Sequence, residues 1–176
     1  MSGSLIKIDE EIVTSAVASV TLGGTDWDSS YDVYMVNLNN VIADTDSVNL
    51  QLRFTASSTP QTTANYDRAY KPLRAATAFG ASYGTNQTSM TAIAGLTNGN
   101  NTQETTQAIQ YLFNFNNSSE YSFITNEEVH RGNTGELVGG QGGGVYTVAE
   151  AHNGINYFFA SGNIASGTFT LYGLKK

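Results

Sequence analysis

Strict alternation of apolar and polar residues is the clearest pattern in this chain. Residues 48–55 alternate without a fault, which places four apolar side chains on one face: Val48, Leu50, Leu52 and Phe54. A period of two is typical of a strand with one face buried and one face in water. Residues 31–38 have a related pattern and lead into the Asn39-Asn40 pair. We therefore predict that they form a second strand and that it pairs with the first.

Further strands are predicted on both sides of this pair. Residues 13–22 form the expected first core strand, which ends at Gly23-Gly24. Residues 108–115 and 120–126 are joined by a short polar turn, and this arrangement predicts a β-hairpin.

The last part of the chain repeats the alternation. Asn153-Gly154 lies between residues 144–151 and 155–160, and Asn-Gly between two such runs predicts a second hairpin. In the closing segment, Phe169 and Leu171 alternate with polar or amphipathic residues. We expect a final strand with these two side chains in the core.

The middle of the chain is less regular. Residues 57–65 and 98–106 are rich in polar residues and predict long loops within the segment 57–107. Residues 75–78 are compatible with either a strand or a single helical turn. The glycine-rich segment 139–144 is expected to be a flexible loop, because it lacks the lysine and the strand-to-helix context of a phosphate-binding loop.

These patterns predict an all-β chain. Strand candidates recur roughly every 10–15 residues, a spacing typical of sandwiches and barrels. We predict a single-domain antiparallel β-sandwich, with a jelly roll as the expected topology. Residues 1–11 are expected to form a short N-terminal arm and residues 12–176 the sandwich domain.

Charge and composition narrow the classes of partner. The 176 residues carry a net charge of −7, and no basic cluster occurs apart from the final Lys175-Lys176 pair. Binding to nucleic acid depends on clustered basic residues, so we expect no nucleic-acid partner. No apolar run has the length of a signal peptide or a membrane span, so we expect a soluble protein without a membrane partner. The chain has no cysteine, and we expect no bound metal or cofactor.

Few residues are candidates for chemistry. His130 and His152 are the only histidines. Both lie near predicted strand ends or turns, where a solvent-facing or turn-capping role is expected. Asp26, Asp28 and Asp32 could supply oxygen ligands to calcium, but their spacing matches no known calcium loop, and ordinary turn hydrogen bonds are the favoured interpretation.

Carboxylates and aromatic rings raise two carbohydrate-related hypotheses. Glu120, Glu127 and Glu128 could form a glycoside-hydrolysing pair, but adjacent residues on a strand point to opposite faces, which argues against this. Trp27 and the ten tyrosines could form a stacking platform for sugars. Cross-strand packing is the alternative role for the tyrosines in predicted strands, which are Tyr31, Tyr111, Tyr121, Tyr157 and Tyr172.

The end of the chain resembles a known class of protein. Residues 154–162 (GINYFFASG) and 166–174 (SGTFTLYGL) are similar to segments of small virion proteins of tailed bacteriophages, particularly marine and cyanobacterial ones. The resemblance is specific in the last third of the chain and is one of general pattern elsewhere. It implies a β-sandwich that serves as a capsid decoration (cement) protein, as a tail or baseplate part, or as a receptor-binding, carbohydrate-binding module.

Of these roles, the resemblance favours a decoration protein. It implies a non-enzymatic protein on the outer surface of the virion, made in the host cytoplasm and docked between major capsid subunits as a homo-oligomer, with a trimer favoured. The arm residues Leu5, Ile6, Lys7 and Ile8 are the candidate interaction site, because an exposed strand can add to the sheet of a neighbour. The alternative is that this segment pairs within its own sheet.

Overall fold

The computed structural model describes residues 4–76 and 79–175, and within these ranges the chain is built from strands. One 3-10 turn, Gly24–Asp26, interrupts them. The strands are β1 (Ser4–Val13), β2 (Val20–Gly23), β3 (Val33–Ala43), β4 (Leu50–Ala56), β5 (Thr59–Pro60), β6 (Tyr66–Arg74), β7 (Ser82–Gln87), β8 (Met90–Thr91), β9 (Thr106–Phe113), β10 (Ser122–Arg131), β11 (Leu137–Tyr146), β12 (Gly154–Phe159) and β13 (Ile164–Lys175).

Two antiparallel sheets pack against each other. In the described ranges the large sheet has eight strands in the order β1-β13-β3-β9-β10-β11-β6-β7, and the small sheet has the order β2-β12-β4-β5, with β8 also paired to β4. The predicted all-β sandwich is therefore confirmed. The jelly-roll topology is not confirmed, because the two sheets are of unequal size instead of two sheets of four strands.

The core lies between the inward faces of the two sheets. Phe54 of β4 and Phe169 and Leu171 of β13 are fully buried, as their alternation predicts. The rings of Tyr157 and Phe169 meet across the two sheets with their centroids 5.5 Å apart. Alternating residues from both layers thus build one continuous core.

Several predicted pairings are wrong. Residues 31–38 were expected to pair with residues 48–55, but β3 belongs to the large sheet and pairs with β13 and β9, whereas β4 belongs to the small sheet and pairs with β12. The expected first strand over residues 13–22 is broken, because β1 ends at Val13 and β2 begins at Val20. In both cases local alternation identifies strand residues without identifying the sheet they join.

The two predicted hairpins have different outcomes. The β9–β10 hairpin is confirmed, with Phe113 opposite Phe123. The Asn153-Gly154 hairpin is wrong, because β11 lies in the large sheet and β12 in the small sheet. Asn153 instead begins a crossing between the layers. Its backbone N–H donates to Thr55 O at 2.8 Å, and its carbonyl accepts from Gly24 N at 2.7 Å.

The glycine-rich segment 139–144 is part of a strand and not a flexible loop. It lies inside β11, between β10 and β6. Three of its glycines face the core, and a Cβ on each would collide with a neighbour: Glu128 for Gly140, Tyr70 for Gly142 and Met90 for Gly144. Close packing therefore requires glycine at these three positions, and backbone mobility is not the reason for them.

The irregular middle segment contains more structure than expected. Within 57–107, β6 and β7 form one end of the large sheet. The segment 75–78, expected as strand or helical turn, lies partly outside the described residues, which omit 77 and 78.

At the other end of the large sheet, residues 4–13 form β1 and pair with β13. Residues 1–3 of the expected arm are outside the described range. The arm boundary between residues 11 and 12 falls within β1, so the arm and the sandwich share a continuous strand.

Candidate functional site

His152 is buried among aromatic rings instead of facing solvent as expected. The residue is 1 % exposed, and its ring centroid lies 5.3 Å from that of Phe54 and 5.5 Å from that of Phe115. Nδ1 is 2.8 Å from Ser122 Oγ, and Nε2 is 3.6 Å from Glu150 Oε1. Burial lowers the pKa of His152 to about 4, so the imidazole is neutral at pH 7.

Serine, histidine and glutamate are the residue types of a hydrolase triad, but this arrangement does not present a nucleophile. Ser122 is 0 % exposed, so a substrate carbonyl has no path to its hydroxyl. Nucleophilic catalysis requires the hydroxyl, the base and the substrate to meet at one point. The Ser122–His152 pair therefore links elements inside the core.

His130 is also buried, contrary to expectation, and is paired with Glu128. Nδ1 of His130 is 2.8 Å from Glu128 Oε2, and Nε2 is 3.0 Å from the carbonyl of Leu96. Because a carbonyl oxygen only accepts, Nε2 carries a proton. Glu128 Oε1 accepts from the Ala94 backbone N–H at 3.1 Å. The pair thus anchors residues 94–96 against β10.

The positions of the carboxylates bear on the two hypotheses of glycoside hydrolysis and calcium binding. Glu127 is exposed and Glu128 is buried, so these neighbours point to opposite faces as predicted. Asp28 forms an ordinary turn, accepting a hydrogen bond from the Ser30 backbone N–H at 3.0 Å, and this bond lowers the pKa of Asp28. Among residues 4–76 and 79–175, no group of three or more histidine, aspartate or glutamate side chains is placed to hold a metal ion.

Most of the aromatic side chains serve the core. The buried tyrosines are Tyr34, Tyr66, Tyr70, Tyr146 and Tyr157. Trp27 packs against the core, its ring centroid 3.9 Å from that of Tyr34, and its Nε1 donates to Asn116 Oδ1 at 2.9 Å. Trp27 is therefore not an open stacking platform. Of the tyrosines predicted to pack across strands, Tyr157 does so in the core, whereas Tyr111 and Tyr121 are exposed.

The outward face of the large sheet carries apolar side chains where polar ones are usual. Tyr83 is 78 % exposed, Phe123 44 % and Tyr111 37 %. Phe123 lies opposite Phe113 on one side and opposite Val145 on the other. We call these five residues the outer cluster. An antiparallel sheet with one solvated face normally alternates apolar inward and polar outward, and the outer cluster departs from this pattern.

A groove runs through the outer cluster. It has a volume of about 570 Å³ and lies between Tyr83 and Phe123, with Ala69 and Gly143 along it. Gly143 faces outward, between Ala69 of β6 and Thr125 of β10. Because neither Gly143 nor Ala69 presents a large side chain, the two aromatic rings stand as walls beside a low floor.

The predicted interaction residues lie at the opposite edge of the large sheet. Leu5 is 49 % exposed and Ile6 40 %, whereas Ile8 packs against the core. Lys7 Nζ is 3.3 Å from Glu10 Oε2 within the same strand. The structure places these residues on one edge strand, well apart in strand order from the outer cluster.

The outer cluster was missed by the sequence analysis, although one signal was present. Residues 108–115 are apolar at both odd and even positions, with Ile109, Tyr111 and Phe113 on one side and Ala108 and Leu112 on the other. A strand with one solvated face does not need two apolar faces. Apolar residues on both faces of this strand indicate a second apolar surface, besides the one that faces the core.

Comparison with protein-family models, with curated proteins and with solved structures returns no match for this chain. The residues that the structure describes include no helix whose length and apolarity would let it cross a membrane.

Proposed function

We propose that this chain is a non-enzymatic structural protein that binds another protein assembly through the outer cluster. The observation that carries the proposal is the group of exposed aromatic side chains Tyr83, Tyr111 and Phe123 on the outward face of the large sheet. Contiguous exposed apolar surface marks an interaction site, and aromatic residues are enriched in protein interfaces. The closed Ser122–His152 pair supports the absence of hydrolytic activity.

The assembly that we propose is the capsid of a tailed bacteriophage. This rests on the resemblance of residues 154–162 and 166–174 to small virion proteins. As a decoration protein, it would dock between major capsid subunits on the outer surface, as a trimer if copies gather at local threefold positions. Binding to the assembled shell would then add to the stability of the shell by linkage. The net charge of −7 suits a surface away from packaged DNA.

The first test is the copy number of this protein relative to the major capsid protein in purified particles, measured by quantitative mass spectrometry. A number on the scale of the capsid protein supports decoration. A small fraction supports a tail or baseplate part, and absence from particles contradicts the virion proposal.

A second test addresses the surface. Phe123→Glu places a charge in the outer cluster and is expected to abolish binding to capsids that lack the protein. Phe158→Glu makes the same change on the outward face of the small sheet, where Arg53 lies 4.4 Å from the ring centroid. Binding that is lost equally in both variants, or in neither, contradicts docking through the outer cluster.

The groove beside Tyr83 favours one alternative, a receptor-binding module for carbohydrate. An exposed aromatic ring next to a shallow groove can stack on a sugar. A glycan array with Tyr83→Ala as control tests this. Saturable binding to a defined glycan that is lost in Tyr83→Ala would favour the alternative over decoration.

A further inference from the structure

One edge of the large sheet is open. β1 is the first strand of the order β1-β13-β3, and in the described ranges no strand lies against its other side. An edge strand offers unpaired N–H and C=O groups to any other strand, and proteins commonly block such edges with charges or bulges. β1 has both features.

The bulge in β1 lies at Ile8. Lys7 is opposite Tyr172 and Asp9 is opposite Leu171, so Ile8 is the extra residue between them. A one-residue bulge reverses the alternation of the strand. Residues opposite the buried side chains of β13 therefore face inward, whereas four residues face outward: Leu5, Lys7, Glu10 and Ile12.

This reversal makes β1 complementary to a second, antiparallel copy of itself. When a two-fold axis passes between Ile8 and Asp9, Lys7 of one copy lies opposite Glu10 of the other. Leu5 in turn lies opposite Ile12. In both pairs the two side chains lie on the same outward face. A strand without a bulge would not allow this. Lys7 and Glu10, like Leu5 and Ile12, are an odd number of positions apart, and such residues point to opposite faces of a regular strand.

Side-chain chemistry supports the same register. Leu5 and Ile12 are 49 % and 61 % exposed, and pairing them covers both. Lys7 Nζ already lies 3.3 Å from Glu10 Oε2 in its own strand. In the paired strands each lysine therefore has one glutamate beside it in its own strand and one opposite it in the other copy. A shift that places Lys7 opposite Ile12 instead brings Glu10 opposite Asp9, two like charges on opposite faces. Only the register centred between Ile8 and Asp9 places Lys7 opposite Glu10 with every paired side chain on a common face.

We propose that two copies of this chain pair through β1 across that two-fold axis and join their large sheets into one. The occupant of the open edge is thus a second copy, and the predicted interaction residues 5–8 form half of the contact. This inference does not depend on the proposed function, since it requires neither a capsid nor the outer cluster. It also differs from the expected trimer, because a two-fold contact closes with two copies.

Cysteine cross-linking tests the register. The wild-type chain has no cysteine, so every disulfide that forms involves an introduced residue. Leu5→Cys and Ile12→Cys are made separately. In the proposed dimer each new thiol faces the wild-type residue of its partner, so neither variant alone forms a covalent dimer on mild oxidation. An equimolar mixture does, because directly opposite residues of antiparallel strands are within disulfide range.

Association is measured by sedimentation of the wild-type chain and of charge variants. Lys7→Glu is expected to weaken dimerisation about tenfold or more, and Lys7→Glu/Glu10→Lys to restore it, because the double exchange regenerates both ion pairs. Thermal melting of each variant separates loss of pairing from loss of folding. A wild-type monomer, a trimer without the mixed cross-link, or equal cross-linking of a single variant would overturn the proposal.

Discussion

The carboxylate of Glu128 occupies the space that a side chain at position 140 would need. Glu128 and Gly140 lie directly opposite each other in the pairing of β10 with β11, and a Cβ on Gly140 would overlap Glu128 Oε1. That oxygen also accepts the Ala94 N–H. The glycine is therefore a condition for the buried pair of Glu128 and His130.

We expect Gly140→Ala to destabilise the fold by about 3 kcal/mol, since it displaces a buried carboxylate from its partners. Gly139→Ala is the matched control. The neighbouring glycine faces outward, and the nearest atom to its Cβ would be the Glu128 carbonyl oxygen at 3.7 Å. Urea denaturation of both variants measures the difference. Equal midpoints would show that the collision with Glu128 is relieved at little cost.

The buried pair itself predicts an asymmetry between two substitutions. Glu128→Gln keeps an oxygen for the Ala94 N–H and offers an N–H to Nδ1 of His130, so a loss below about 2 kcal/mol is expected. His130→Ala leaves the carboxylate buried without its partner and is expected to cost about 3–5 kcal/mol. Equilibrium unfolding at pH 7 ranks them. A larger loss in Glu128→Gln would contradict the hydrogen-bond assignment.

His152 predicts a loss of stability in mild acid. Burial lowers its pKa from 6.5 to about 4. As the pH falls through 6.5, the unfolded chain takes up a proton that the folded chain does not. Stability that is present above pH 6.5 is therefore lost progressively down to pH 4, by up to about 3 kcal/mol.

The variant His152→Phe isolates this contribution, because phenylalanine suits the aromatic surroundings and does not titrate. Unfolding free energies at pH 7 and pH 4.5 are compared for both proteins. The acid-induced loss should be smaller in the variant. The same loss in both would show that it does not come from the protonation of His152.

Asn153 connects two turns to the layer crossing. Its Oδ1 accepts from the Ser58 backbone N–H at 3.0 Å, and its Nδ2 donates to Gly24 O at 3.3 Å. We expect Asn153→Ala to cost about 2 kcal/mol, because several partners lose their bonds together. Asn117→Ala, which removes one exposed bond to the Ser119 N–H, should cost less than about 1 kcal/mol. Thermal denaturation of the two variants provides the comparison.

The sequence predicts which residues form strands better than it predicts which strands meet. Alternation locates the buried faces of β4 and β13 because the period of a half-buried strand is local. The assignment of β3 to the large sheet depends on β13, whose residues lie more than a hundred positions away. Pairing over such distances leaves no local pattern.

The outer cluster was not predicted from the sequence, and residues 5–8 stay a predicted interaction site. Their position at an open edge depends on their pairing with β13. Gly140 and Gly144 read as loop residues because glycine is depleted in strands, and only the inward side chains of Glu128 and Met90 explain them. Ser122 and His152 are 30 positions apart in the chain, and the separation hides their contact.

The position of β13 between β1 and β3 governs when the large sheet can form. Among residues 4–76 and 79–175, β1 has no other partner in that sheet, and its first residue, Ser4, pairs with Lys175. During synthesis, β1 must therefore wait on the ribosome until nearly all of the described chain has emerged. Sheets closed by such long-range pairing fold slowly. Until β13 emerges, the nascent chain therefore leaves β1 unpaired in this sheet and leaves one edge of β3 without its partner.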